Sequence, residues 1–417
     1  MARTPRALAR RGKRLLGYWR SEQRTLRQGL VALVLSTAAG FVAGLTLSHL
    51  TGTLATYPGL LVLIPAAVGM KGTIFGAIGA RLGTANAAGL LTLDLRPRGV
   101  LRRNVNVAVF TTFSSALWLA VLARFASAAF GQPSISVGKL LVISVIGGGI
   151  GSVLVLLITV GLSAVSYRLG WDLDSVSTPM VTALGDMTTI PSLFLATYLL
   201  HDPTVAAIAA VISLVSAVAV TISSYTTHDR VVRRIVVEMT GTILLTPVLD
   251  VMAGGLQQAR LAELTAVPVL LSLIPPFVSQ AGALGGIFSS RITSKLQIGV
   301  ITPRGRPEPP AIVDASIVVV LSVAVFTLIG AIAWGLGELT NLPGMPSAGL
   351  LIGGSLLSGL IVTPMTIAVG YYLAVITYRF GLDPDNQGVP IITSVMDLAG
   401  VACILLVMTS LGVLGHG

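Results

Sequence analysis

Two aspartates, Asp186 and Asp397, stand in strongly apolar parts of the sequence. Each follows another aspartate, Asp174 or Asp385, by twelve residues. At about 1.5 Å per helical residue, twelve residues span about 18 Å, which would bring each acid near the middle of a bilayer. A charged side chain there costs about 2.5–3.5 kcal/mol on insertion scales, so acids at that depth are functional candidates. The spacing predicts two functional carboxylates at equal depth.

Each of these acids shares one helix face with a proline and a threonine, at i, i+3 and i+7. The two faces are formed by Pro179, Thr182 and Asp186, and by Pro390, Thr393 and Asp397. Carboxylates, hydroxyls and carbonyls freed by the prolines form an all-oxygen set, which suits a hard cation such as Mg2+, Ca2+ or Mn2+. We expect the acids and threonines to bind the metal and the prolines to line its path. A proton relay, a Na+ site, or acids that only cap or hydrogen bond a neighbouring helix are the alternatives.

The chain contains an internal repeat at an offset of 210–211 residues. Residues 167–187 match residues 378–398 at eight of 21 positions, including all three aspartates of each segment. Residues 58–84 match residues 268–294 at ten of 27 positions. The second pair of segments is rich in glycines spaced for close helix approach or for lining a path. The glycines considered as path-lining are Gly72, Gly76, Gly282 and Gly286.

Six further ionisable residues each allow two interpretations. Asp250 is deep in its segment, but its counterpart in the first repeat is Gly40. It is either a coupling-ion site or a hydrogen-bonded buried group, and the lack of a matching acid favours the second interpretation. Lys71, opposite Ala281, either neutralises an acid or extends toward the membrane surface. Four acids at segment starts either attract cations to the mouth of a path or cap helices: Asp172, Asp174, Asp383 and Asp385.

Eleven apolar segments are long enough to cross a membrane as helices. They cover residues 29–50, 57–82, 105–130, 138–167, 175–199, 204–226, 235–256, 267–290, 312–337, 347–377 and 386–414. Residues 1–28 contain nine Lys or Arg and one acid. Further basic clusters follow spans 2, 6 and 8, on the same side as the N-terminus. The positive-inside rule therefore predicts a cytoplasmic N-terminus and an extracellular C-terminus in a multi-pass cell-membrane protein.

The fold class predicted is an all-α polytopic membrane protein made of two parallel five-helix repeats and one linking helix. An odd number of spans per repeat would invert the second copy, and the unmatched span 204–226 restores its direction. A pseudo-two-fold axis would then run along the membrane normal. The expected domains are a basic tail (1–28), a first repeat (29–200), a linking helix with a basic loop (201–234) and a second repeat (235–417).

Composition excludes several classes of protein. The 417-residue chain is 54% hydrophobic and 10% charged, whereas soluble domains are about 25% charged. A single cysteine, Cys403, excludes a disulfide scaffold and a cysteine-based metal site. The net charge of +11 is better explained by orientation and lipid contact than by nucleic acid, which we do not expect as a partner. No Ser/His pair lies at plausible depth for an intramembrane hydrolase, so we do not expect an enzyme.

The two repeated segments resemble the membrane domain of MgtE magnesium channels. The similarity is greater to their solute-carrier relatives, which carry two such domains in one chain. It rests on the repeated proline, glycine and arginine block, on the repeated aspartate, proline and threonine block, and on residues 69–85, GMKGTIFGAIGARLGTA. The family has an Asn where this sequence has Thr73, and its second-repeat GGN corresponds here to residues 282–284, GAL.

The resemblance implies a central pore lined by the second and fifth helices of each repeat. An acid on the fifth helix, corresponding to Asp186 and Asp397, would bind hydrated Mg2+ as the transported ion. One chain would supply both halves, so no obligate partner chain is expected. Channel-like conduction and Na+-coupled exchange, with Asp250 as a possible coupling site, both stay open. The alternative function is a proton- or sodium-coupled carrier of an organic solute that uses the same aspartates.

Overall fold

The computed structural model of the chain describes residues 23–87, 96, 99–169, 173–382 and 387–415. Within these residues the fold is entirely helical. The helices before the linker are α1 (Gln23–His49), α2 (Thr51–Thr56), α3 (Leu60–Ala87), α4 (Val100–Ala129), α5 (Val137–Val142), α6 (Gly148–Leu169) and α7 (Leu173–Thr197). The linker is α8 (Pro203–Thr226). The helices after it are α9 (Arg230–Ala259), α10 (Leu261–Ala266), α11 (Val269–Gln297), α12 (Pro309–Leu339), α13 (Ala348–Phe380) and α14 (Val389–Ser410).

The structure confirms a polytopic, all-helical membrane fold. Nine helices in the described part of the chain are long and apolar enough to cross a membrane. The two other predicted spans coincide with α1 and α7. A π-helical segment, Ile143–Gly147, joins α5 to α6 and makes them one continuous span. The predicted count of eleven spans is compatible with this architecture, and the exact domain boundaries stay predictions.

Equivalent helix crossings recur in the two repeats. Helix α1 packs against α11 and α7, and its counterpart α9 packs against α3 and α14. In the first crossing, Gly44 lies directly on the Ser272 backbone. In the second, Gly254 lies on the Val62 backbone, where a Cβ atom would be 2.6 Å from the carbonyl oxygen. Since Gly254 and Ser272 each lie 210 residues after their counterparts, the first helix of each repeat crosses the second helix of the other.

A second pair of equivalent contacts lies inside each repeat. The Ser144 hydroxyl donates to the Ala116 carbonyl at 2.9 Å, and the Ser355 hydroxyl donates to the Phe326 carbonyl at 2.8 Å. These serines are 211 residues apart and the acceptors 210 apart, as the sequence repeat requires. The sequence duplication is thus reproduced as a duplication of contacts.

The repeated arginines join the second helix of each repeat to the third. Arg81 Nε donates to Asn104 Oδ1 at 3.3 Å. Its counterpart Arg291 lies 3.1 Å from the carboxylate of Asp314. The two acceptors occupy equivalent positions, but only the second is an acid, and Lys295 also binds it. These contacts attach the second helix of each repeat to the third at equivalent positions, and in the second repeat the junction is an ion pair.

Basic loops of the two repeats meet on one side of the molecule, which we call the basic side. Arg103, at the start of α4, binds Asp229, the N-cap of α9, at 2.8 Å. Partial burial acts to raise the pKa of Asp229. The Arg103 hydrogen bond and the amides of Val231 and Val232 outweigh it, so this pKa lies below its usual value. The ion pair fixes the beginning of the second repeat to the first.

Alanine at Gly254 should destabilise the fold, because the added Cβ would lie 2.6 Å from the Val62 carbonyl oxygen. We expect a loss of roughly 2 kcal/mol from this overpacking, measured as a lower midpoint of thermal unfolding in detergent. Gly241 is the matched control, because it lies in the same helix with nothing within 4 Å of a Cβ. Alanine at Gly241 should be neutral or slightly stabilising. Equal losses at both positions would contradict the close crossing.

Candidate functional site

Helices α7 and α14 bring the two predicted carboxylates into one region. Asp186 is 3% exposed and Asp397 is 8% exposed. Their side chains are close enough for the charge of Asp397 to act on Asp186. The Ser279 side chain, from α11, also interacts with the Asp186 carboxylate. The site therefore combines the fifth helices of both repeats with the second helix of the second repeat.

Asp250 is a third acid of the same region. It comes from α9 and is fully buried. Asp397 lies within electrostatic range of Asp250 as well as Asp186. The Asp250 side chain also contacts α3, because its Oδ2 lies 2.6 Å from where a Cβ of Gly69 would be. Asp397 thus interacts with an acid from each repeat.

Asp250 lacks the geometric hydrogen-bond partner that a satisfied polar group would have among the described residues. Neither carboxylate oxygen has a hydrogen-bond partner among the described residues. Ser394 is near enough to interact, without the geometry of a hydrogen bond. A buried charge without compensating hydrogen bonds is strongly unfavourable. Either a proton or a bound cation would relieve that cost.

Packing explains why the first repeat has no acid at the position equivalent to Asp250. Gly40 lies against Pro276, and a Cβ atom there would be only 2.9 Å from the proline Cα. At the other crossing, Gly69 has no side chain and leaves room for Asp250. The residue equivalent to Gly69 in the second repeat is Ser279, which carries a hydroxyl. The two halves of the site are therefore formed by equivalent helices that carry different polar groups.

The predicted glycine and threonine positions pack together in the second repeat. A Cβ at Gly282 would lie 2.5 Å from Thr393 Cγ2, so α11 and α14 are in tight contact there. The Thr393 hydroxyl donates to the Val389 carbonyl at 2.6 Å, which leaves its lone pairs as acceptors. Gly286 is in ordinary contact with Val389, and Gly76 has open space around it. Gly72 is partly buried in α3.

One expectation about the prolines is wrong. Pro390 is in the first turn of α14, where its missing amide hydrogen interrupts no helical hydrogen bond. It therefore frees no carbonyl inside that helix. Pro179, Thr182 and Asp174 belong to α7, but the structure does not describe their side chains. Asp172, Asp383 and Asp385 lie outside the described residues.

Lys71 neither neutralises an acid in the described part of the chain nor extends to the surface. It is 4% exposed, and its Nζ donates to the Gly148 carbonyl and the Ser152 hydroxyl. The Thr112 and Ser152 hydroxyls are 2.9 Å apart. These contacts attach α3 to α6 just after the π-helical segment. Lys71 therefore fixes α3, the second helix of the first repeat, by a contact that Ala281 cannot make in the second.

The region is acidic, but its acids do not form a compact direct coordination cage. Within residues 23–87, 96, 99–169, 173–382 and 387–415, no three His, Cys, Asp or Glu side chains lie close enough to bind one metal ion together. The acids can nevertheless act on one ion through space, because their charges interact over longer distances in a buried setting. Sequence analysis missed Ser279 and Ser394, since neither position carries a hydroxyl in both repeats.

Comparisons with known proteins agree with the duplicated architecture. The sequence model of the MgtE family, described as a divalent cation transporter, matches residues 64–196 and again residues 274–407. No curated protein matches the sequence. A search of solved structures found the crystal structure of the eukaryotic MATE transporter AtDTX14, at 14% identity and a TM-score of 0.31, covering 94% of this chain and 96% of that one. A similarity at that level supports no conclusion about function.

Proposed function

The chain belongs to the MgtE family of divalent cation transporters, and from this premise we propose that it moves Mg2+ along a path between its two repeats. The ion would be held by Asp186 and Asp397. The observation that carries this proposal is the grouping of buried carboxylates around Asp397. Carboxylates that share a buried region repel one another. A divalent cation between them removes that repulsion, so the site favours a doubly charged ion.

The preference for Mg2+ follows from its coordination chemistry. Mg2+ dehydrates reluctantly and usually keeps several waters while one or two carboxylates bind it. We propose that Asp186 and Asp397 hold the ion with part of its water shell in place. The hydroxyls of Thr182 and Thr393 would contact those waters or the ion itself.

The path would follow the second and fifth helices of each repeat. Gly72, Gly76, Gly282 and Gly286 on the second helices would keep it narrow, and the open space at Gly76 supports room for an ion there. Pro179 and Pro390 would line its fifth-helix wall. Asp172, Asp174, Asp383 and Asp385 would attract cations to its mouth.

We propose that the basic side faces the cytoplasm, with the N-terminus there and the C-terminus outside. The side chains that support this by the positive-inside rule include Arg81, Arg103, Arg233, Arg291 and Arg304. The chain would act in the cell membrane without an obligate partner, because one chain supplies both repeats.

Growth of a transporter-deficient host tests the proposed Mg2+ transport. A host that lacks its own Mg2+ transporters should grow in low-Mg2+ medium when it expresses this chain. The same host with the Asp186→Asn/Asp397→Asn variant should not grow, although the variant reaches the membrane in equal amount. Equal growth with both proteins would exclude the proposed role of the aspartates.

A test of Asp250 distinguishes channel-like conduction from Na+-coupled exchange. Its buried carboxylate has no hydrogen-bond partner among the described residues and lies near Ser394, which supports a monovalent cation site beside the Mg2+ site. If Na+ binds there, Asp250→Asn should remove the response of Mg2+ uptake to an opposing Na+ gradient while residual uptake continues. The measurement is uptake by proteoliposomes with and without the gradient. Wild-type uptake that ignores Na+ would instead assign Asp250 to channel-like conduction.

A further inference from the structure

A cavity of ≈ 120 Å³ lies where α4, α8 and α9 meet. Its walls therefore come from the first repeat, the linker and the second repeat. The polar side chains on its wall are Thr111, Ser114, Trp118, Thr221, Tyr225 and Thr240. It is separate from the site of the three aspartates, none of which lines it.

Three polar atoms of this wall are buried without a hydrogen-bond partner among the described residues. They are Ser114 Oγ, Trp118 Nε1 and Thr221 Oγ1. The other polar groups are already paired, since the hydroxyls of Tyr225 and Thr240 lie 2.9 Å apart. An indole N–H can only donate a hydrogen bond. Leaving a buried donor unpaired costs about 1–3 kcal/mol, so this wall is built to receive an oxygen acceptor.

The cavity extends from the basic end of α8 to the middle of α9. Tyr225 is one residue from the end of α8, and Val236 is six residues from the start of α9. Arg233, Val236 and Thr240 share one face of α9 at i, i+3 and i+7, and the last two line the cavity. The exposed Arg233 is therefore one turn nearer the basic side than the cavity. A positive group therefore lies beside the cavity, whose unpaired donors come from α4 and α8.

The surface beside the cavity is apolar and unusually exposed for a packed helix. Only 22% of the most apolar part of α8 is buried. Ile222 is 59% exposed and Leu244, which lines the cavity, is 47% exposed. In a membrane such residues face acyl chains. The volume of the cavity is well below the roughly 300 Å³ of a small-ligand pocket. A ligand would thus place only its polar middle there and the rest on the adjacent helix faces.

We propose that this cavity binds an anionic glycerophospholipid of the leaflet on the basic side. Its ester carbonyl oxygens would accept hydrogen bonds from Trp118, Ser114 and Thr221. Its phosphate would lie near Arg233, and an acyl chain would extend along α8 and α9. The bound lipid would connect both repeats to the linker, and by binding only the folded protein it would raise the unfolding temperature.

The test uses full-length protein stripped of lipid in detergent and titrated with diacyl phosphatidylglycerol, with bound lipid counted by native mass spectrometry. The combined Trp118→Phe, Ser114→Ala and Thr221→Val variant should bind at least about tenfold more weakly, as expected for the loss of two or three hydrogen bonds. Trp334→Phe, a tryptophan change in α12 away from the cavity, is the matched control and should leave binding unchanged.

A second comparison keeps the protein unaltered. Dialkyl phosphatidylglycerol has ether linkages in place of the esters and therefore no carbonyl oxygens, so wild type should bind it about tenfold more weakly than the diacyl lipid. The combined variant should not distinguish the two lipids, and Arg233→Gln should lose the preference for phosphatidylglycerol over phosphatidylcholine. If wild type binds diacyl and dialkyl lipids equally, or retains no lipid, the cavity does not bind ester carbonyls and the proposal is overturned. The comparison of diacyl with dialkyl lipid uses wild-type protein, so it tests the proposal even if the combined variant does not fold.

Discussion

Asparagine at Asp397 should lower Mg2+ transport by about 100-fold and should have a larger effect than the same change at Asp186. Asp397 interacts with both Asp186 and Asp250, whereas neither of those is found to interact with the other. Its loss leaves no negative charge that joins the two halves of the site. A charge-assisted contact is worth about 1.5–3 kcal/mol, and each 1.4 kcal/mol changes an equilibrium tenfold. Uptake of Mg2+ by proteoliposomes measures the effect.

Glu338→Gln provides the matched control for Asp397→Asn. Glu338 is an exposed acid at the end of α12, on the opposite side from the basic loops. Its neutralisation changes the net charge by the same amount and should leave uptake unaltered. An Asp397→Asn protein that transports at half the wild-type rate or more would remove Asp397 from the ion path.

Asparagine at Asp314 should cause the largest loss of stability, about 3 kcal/mol, without acting on the ion site directly. Its carboxylate is fully buried and is bound by both Arg291 and Lys295. Breaking a buried ion pair by removing one partner typically costs about 3–5 kcal/mol, and partial exposure of the two cations places this one at the lower end. The midpoint of thermal unfolding in detergent should fall accordingly.

The equivalent position in the first repeat offers a matched comparison. Asn104 occupies the position equivalent to Asp314 and accepts from Arg81 at 3.3 Å. Removing its side chain by Asn104→Ala should cost less than Asp314→Asn, because a neutral acceptor contributes only about 0.5–1.5 kcal/mol. Losses of equal size would show that the ionic junction of the second repeat has no special role.

The duplicated features of the fold were the most predictable from the sequence. Long apolar segments determined the helices, and the repeated blocks identified Asp186 and Asp397 as equivalent positions. The crossings at Gly44 and Gly254 agree with that symmetry. Such features are predictable because the length of apolar segments and the internal repeat are both visible in the sequence without knowledge of the fold.

The asymmetric features were not predictable in the same way. Asp250 looked like a satisfied polar group, because no matching acid supported a functional role. Its surroundings depend on Gly69 from the other repeat, a contact that only the folded chain creates. Within the described residues Lys71 has neither of its two expected roles, since its acceptors follow a π-helical segment that apolar periodicity does not reveal.

Mg2+ uptake by proteoliposomes is the most direct test of the central claim that Asp186 and Asp397 hold the transported ion. Wild type and the Asp186→Asn/Asp397→Asn variant would be compared at equal protein content, with and without an opposing Na+ gradient. The account predicts uptake by wild type and none above protein-free vesicles by the variant under either condition. Wild-type uptake by a correctly inserted double variant would contradict it.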